Sequence, residues 1–314
     1  MRTAPIHDTG SPTPFALRAA SALGLGCCIA LLSACGGGSG NNDAPANNPP
    51  VAGGGSTDMP IDDEPVTPPP VPLAPKLACA DLSGTTVSAA DISLPTNGAT
   101  ITEATAVAAG AAGNLYGDYC RLRGTIAPVN ANSPAINFAL NLPASWNRKT
   151  IHFGGGGFNG NLIDGTEGIR FGPADKPAPL ALGYATYGSD SGHQSSSITD
   201  GKFAQDDEAL ANYGGQALKK TRDVAQQLVK MFYGEKPAHA WFLGTSTGGR
   251  DGLAYIQRWP LDYDGLIANE PALNYSGARL SNVAVGRALD GNGGAGWLTL
   301  VKTLLVQRAG LAPS

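Results

Sequence analysis

The segment Gly244-Thr245-Ser246-Thr247-Gly248-Gly249 places a serine among small residues at the spacing Gly-x-Ser-x-Gly. That spacing suits a nucleophile, because a strand turning sharply into a helix leaves no room for flanking side chains and lifts the serine hydroxyl to the carboxyl edge of a sheet. The chemistry it would support is attack on an acyl carbonyl, with the Thr247 backbone N–H as one oxyanion donor at the positive end of the helix. With 43 glycines the bare pattern could arise by chance. The weight rests on the apolar strand before it and the helix after it; the competing use of Ser246 is as a helix N-cap. A second donor is expected from His152-Phe153-Gly154-Gly155-Gly156-Gly157-Phe158, since only backbone without side chains can approach an oxyanion so closely, and Gly156 or Gly157 is the expected contributor.

Other groups fit quieter roles. Those glycines lack Gly-x-Gly-x-x-Gly or Walker spacing, which argues against a phosphate cradle. The four histidines are His7, His152, His193 and His239, and all precede Ser246. His193 is read as a loop residue at the same sheet edge, His152 and His239 as structural. Glu270 ends a strand as a capping or surface carboxylate, Asp262 and Asp264 read as turn residues, and Asp206-Asp207-Glu208 as charge at a helix start.

The elements that must position the serine follow from apolar periodicity. Ile136 to Leu142 alternates with period two, Thr150 to Phe153 is a short apolar strand, and Gly183 to Tyr187 is another. Leu210, Tyr213, Ala217, Val224, Leu228, Val229 and Phe232 predict one long amphipathic helix from Asp206 to Tyr233, capped by Gly234. Ala238 to Leu243 reads as a buried strand, Gly248 to Arg258 as a helix and Gly265 to Ala268 as a strand. Such alternation predicts an α/β fold with a mostly parallel sheet covered on both faces.

The chain of 314 residues is 42% hydrophobic and 15% charged, with net charge −4. Its cations are scattered singly, so no field for a polyanion exists and nucleic acid is excluded as a partner. Ala19 to Leu32 is an apolar run too short to span a bilayer, and with Arg2 and Arg18 it reads as an export signal. It ends in Leu32-Ser33-Ala34-Cys35, which resembles a bacterial lipobox; an ordinary signal peptide cut after Ala34 is the alternative. Gly36 to Pro75 is Gly, Asn, Ser, Asp and Pro, a spacer unable to bury a core. Cys27 and Cys28 fall in the discarded segment and Cys35 is the lipid acceptor, leaving Cys79 and Cys120 to pair as one disulfide in an oxidising compartment. Nothing has the spacing of a Cys/His metal site.

The stretch from Trp241 to Ala272, with Gly-Thr-Ser-Thr-Gly-Gly-Arg-Asp-Gly-Leu, Gln257-Arg258-Trp259-Pro260 and Asp262-Tyr263-Asp264-Gly265-Leu266-Ile267-Ala268, resembles the tannase and feruloyl esterase family. The likeness extends back through Tyr187-Gly188-Ser189-Asp190-Ser191-Gly192-His193 and the Cys79 and Cys120 region. It implies an α/β-hydrolase core with the beginning of an inserted lid, acting as a serine carboxylic ester hydrolase on feruloyl, galloyl or similar aromatic esters. It also implies no cofactor for this chain, calcium belonging to a later portion of the family's lid. Thr245 stands where many members carry a cysteine bonded to another beside the catalytic histidine. The fold's order is nucleophile, acid, histidine, so the triad Asp and His are expected outside this chain, which reads as carboxyl-terminally truncated. The expected divisions are 1–34 signal peptide, 35–76 spacer, 77–270 core and 271–314 start of the lid. The protein is expected to be exported as an outer-membrane or periplasm-facing lipoprotein, touching membrane through its lipid alone, or else secreted. The alternative function is a catalytically inactive fragment or a lipoprotein that binds an aromatic ligand.

Overall fold

The computed structural model describes residues 71–294 and 296–310. The export signal, Cys35 and the spacer as far as residue 70 lie outside the described residues.

Eight strands form one sheet: β1 (Thr86–Val87), β2 (Ala99–Val107), β3 (Tyr119–Ile126), β4 (Ile136–Pro143), β5 (Lys149–Phe153), β6 (Ala185–Ser189), β7 (His239–Thr245) and β8 (Gly265–Asn269). Their order is β1-β2-β3-β4-β6-β5-β7-β8. The expected α/β class holds, but the sheet is mixed rather than mostly parallel. Strands β6, β5, β7 and β8 are parallel, whereas β1, β2, β3, β4 and β6 pair antiparallel in turn. The links 108–118 and 127–135 are too short for the crossover that a parallel pair requires. The crossed order from β4 to β8, with the serine turn after β7, is that of an α/β-hydrolase core.

Helices α1 (Asp207–Ala211) and α2 (Ala217–Tyr233) precede β7, and α3 (Thr247–Arg258) follows it. Asp206 caps α1, accepting the Ala209 amide at 2.7 Å. Gly234, at φ 77°, closes α2 by donating to the Lys230 carbonyl at 2.8 Å. The single helix expected from Asp206 to Tyr233 is instead interrupted by a π-turn, Asn212–Gln216, in which Gly215 takes φ 117°. Apolar rhythm continues on both sides of the break, which hides it from a periodicity argument, and Arg258 Nη1 donates to the Gly214 carbonyl at 3.0 Å.

The main core packs α2, through Val224, Leu228, Val229, Phe232 and Tyr233, onto Leu122, Phe138, Leu140 and Leu142 of the antiparallel strands. A second cluster joins α2, β7 and α3 through Leu218, Phe242 and Tyr255. On β7's other face, Leu243 packs with Ile151 and Phe153. Cys79 and Cys120 are bonded, with Cα atoms 5.4 Å apart, tying the turn Cys79–Leu82 to β3. Beyond Pro271, where the apolar pattern loosens, lie α4 (Tyr275–Gly294) and α5 (Leu300–Gly310). Helix α4 buries none of its residues.

Candidate active site

Ser246 sits between β7 and α3 with φ 59° and ψ −118°, and its hydroxyl makes no capping hydrogen bond. The N-cap use is therefore not what this serine does. A non-glycine residue held there carries about 1–3 kcal/mol of strain, which persists only where neighbours over-determine the turn. They do so here: Ser246 donates its amide to the Asn269 carbonyl and accepts the Ala272 amide on its own, each at 3.0 Å. The flanking glycines are required by contact. A Cβ on Gly244 would overlap the Gly248 carbonyl group, one on Gly248 would lie 2.6 Å from the Gly155 oxygen, and one on Gly249 2.9 Å from the Asn269 oxygen.

The glycine loop after β5 is sewn to this turn. Gly154 donates to the Leu243 carbonyl at 2.8 Å, Gly248 to the Gly155 carbonyl at 3.1 Å, and the buried Thr247 hydroxyl to the Gly157 carbonyl at 2.6 Å. Gly157 has φ 60°, and a Cβ there would lie 2.5 Å from the Ile198 oxygen, whereas one on Gly156 would meet open space. The Phe158 amide is held by the Ile198 carbonyl at 2.7 Å and the Asn159 amide by the Gly156 carbonyl at 2.9 Å. Among the described residues, the amides of Thr247, Gly156 and Gly157 donate to no protein acceptor. The arrangement thus presents a strained serine beside two groups of open amides.

Several residues around this loop were not singled out by sequence reasoning. Tyr213, from the π-turn, brings its hydroxyl 3.4 Å from the Gly157 oxygen. The Arg250 guanidinium lies 5.0 Å from the Tyr213 ring and 4.6 Å from the Tyr275 ring, and pairs with the buried Asp251 at 2.7 Å. Phe158 packs edge-on to Phe203, Tyr213 and Tyr275. Arg250 lay within the motif itself; Tyr213 was legible only as one more apolar position.

The histidines divide as expected for two of three. His152 is fully buried on β5, stacked on Tyr187, with Nδ1 2.6 Å from the Tyr263 hydroxyl. Burial, helped by the Arg222 charge, pushes its pKa down to about 3. His193 is buried in the loop after β6, its ring stacked on Phe203 at 4.0 Å, with neither ring nitrogen completing a hydrogen bond. Burial lowers its pKa too, against nearby carbonyls of Phe158 and Ser191. His239 does not point into the core: it opens β7 on the surface, 3.7 Å from Asp264.

The carboxylates do structural work. Asp190 is buried and accepts four donors, from the Asn137 amide and side chain, the Gly192 amide and Gln194, yet burial still pushes its pKa up to about 6. Asp262 is more than a turn residue: it binds Lys219 at 2.7 Å and the Tyr255 hydroxyl at 2.7 Å, and pairs with Arg222 at 3.2 Å. Asp264 accepts the Ala240 amide at 2.7 Å. Glu270 is exposed, at φ 43°. Among the described residues, no group of three or more His, Cys, Asp or Glu side chains is placed to hold a metal ion.

The family model described as tannase and feruloyl esterase matches residues 120–313. An uncharacterized esterase of Agrobacterium fabrum is 42% identical over 220 residues, covering 70% of this chain and 40% of the relative. The mono(2-hydroxyethyl) terephthalate hydrolase of Piscinibacter sakaiensis is 31% identical over 225 residues, 67% of this chain and 36% of the relative. The crystal structure of feruloyl esterase B from Aspergillus oryzae aligns with TM-score 0.48 and 25% identity over 63% of this chain and 38% of that one. The chain thus spans two fifths or less of the length of these relatives. With more than half of its residues matched by one family model, the chain belongs to the tannase and feruloyl esterase family.

Proposed function

We propose that this chain carries the nucleophile half of a serine carboxylic ester hydrolase acting on esters of aromatic acids, feruloyl, galloyl or similar. Ser246 attacks the ester carbonyl, and the amides of Thr247 and of Gly156 or Gly157 receive the oxyanion. The observation that carries this reading is the strained φ of Ser246 beside open amides, a backbone state with no use as a cap. The serine also needs a base. The chain has no histidine after Ser246, and His193 is buried with its ring stacked on Phe203, so the acid and base of the triad are assigned to residues outside this chain. Calcium, if the whole protein uses it, is likewise assigned outside the described residues. In this reading 77–270 is the catalytic core, 271–314 begins the lid, and 1–34, Cys35 and the spacer to residue 76 export and tether the core by lipid, without nucleic-acid partners. The Cys79–Cys120 disulfide accords with an oxidising compartment.

The absence of a histidine after Ser246 favours a second reading, a catalytically inactive fragment or a lipoprotein that binds an aromatic ligand. A fluorophosphonate separates the two when imidazole is added as a substitute base. Labelling of Ser246 that rises with imidazole and disappears in Ser246→Ala is expected. Labelling that ignores imidazole, or persists in that variant, would hand the lead to the binding reading.

A further inference from the structure

We propose that the Thr247 side chain, not only its amide, is a positioning residue for the oxyanion pocket, clamping the glycine loop to the serine turn so that Gly157 supplies the second donor. The inference rests on the esterase reading for its purpose, but its geometry stands alone.

A planar peptide points its C=O and N–H in opposite directions. The Gly157–Phe158 peptide is pinned at both ends, its oxygen by the Thr247 hydroxyl at 2.6 Å and its amide by the Ile198 carbonyl at 2.7 Å. The Gly155–Gly156 peptide directs its oxygen at the Gly248 amide on α3, at 3.1 Å. That turns the Gly156 N–H away from the serine helix. The Gly156–Gly157 peptide spends its oxygen on the Asn159 amide and leaves the Gly157 N–H open, next to the clamped unit. Gly157 is therefore the better donor of the two, and its orientation depends on the neighbouring carbonyl that Thr247 holds.

The Thr247 hydroxyl is buried and has this carbonyl as its acceptor. Tyr213 reaches the same oxygen only at 3.4 Å. One residue thus links the two halves of the pocket: its amide is a donor, and its hydroxyl sets the loop that carries the other donor. Electrostatic stabilisation of an oxyanion depends on donors being held before charge develops.

The test compares Thr247→Ser, which keeps the hydroxyl, with Thr247→Val, which keeps the shape, in the whole chain. Amide exchange across Gly156 to Asn159 is read by NMR, and fluorophosphonate inactivation in imidazole is resolved into its binding constant and maximal rate. Thr247→Val is expected to speed Phe158 exchange and lower the maximal rate, each about tenfold, the size of one neutral hydrogen bond. Its binding constant should stay unchanged, and Thr247→Ser should restore both readouts. Unchanged exchange in Thr247→Val would overturn the clamp. Fast exchange with an unchanged maximal rate would overturn its role in the pocket. If the unaltered chain is never labelled, the esterase reading fails separately, while exchange still decides whether the clamp exists.

Discussion

At the scale of single residues, the candidate site is governed by where a Cβ can and cannot go. Gly157 combines a left-handed φ of 60° with a Cβ position 2.5 Å from the Ile198 oxygen, so an alanine there must displace the loop carbonyl or the 198 strap. Gly156 opens onto free space and has no such constraint. Gly157→Ala is expected to lower the imidazole-assisted phosphonylation of Ser246 at least tenfold while Gly156→Ala changes it by less than about threefold, since only the former moves a preorganised donor. Equal effects of the two variants, read as inactivation rates, would mean that the loop does not position a donor at all. Much of this site was legible in the sequence, because Gly244, Gly248 and Gly249 are glycine for reasons of contact that the motif encodes. The Thr247 hydroxyl and Tyr213 were not, since each acts on a backbone oxygen distant in sequence and leaves no local pattern.

Secondary-structure elements show the same division between local and distant causes. The strands and helices that flank Ser246 follow from short apolar runs ended by glycine or proline. The antiparallel strands β2 and β3 went unread although Tyr119 to Ile126 alternates, with Cys120, Leu122 and Ile126 buried and Arg121, Arg123 and Thr125 less so. The π-turn at Asn212–Gln216 was hidden for a different reason. The apolar spacing runs on across it, while within it Gly215 adopts φ 117°, closed to L residues. This break delivers Tyr213 to the glycine loop, and its freed Gly214 carbonyl is taken up by Arg258. Gly215→Ala is accordingly expected to destabilise the chain by about 1–3 kcal/mol in urea unfolding, although alanine is the better helix former. A stabilised variant would show that a continuous helix is accessible and that the break is not enforced by its surroundings.

Across the whole molecule, buried ionisable groups make stability depend on pH in opposing ways. His152 has a folded pKa of about 3 against an ordinary 6.5, so between those values the unfolded chain binds a proton that the native state refuses. Stability from this group is lost as pH falls through that window. His193, also lowered by burial, acts in the same direction. Asp190 opposes them: raised from 3.8 to about 6, it holds a proton in the native state that the unfolded chain has released, so its contribution grows as pH falls. Each proton difference changes stability by at most ~1.4 kcal/mol per pH unit. Asp251, raised by burial against the pull of Arg250, sides with Asp190, so the slope between about pH 6 and about pH 4 is a balance in which each group has a definite sign. Asp190→Asn should tilt that slope towards loss on acidification, and His152→Gln should tilt it the other way, whatever each does to absolute stability. Urea midpoints taken across the window test this directly: a slope for His152→Gln no different from that of the unaltered chain would mean that His152 gains its proton without unfolding, through a hydrated or opened route to the core.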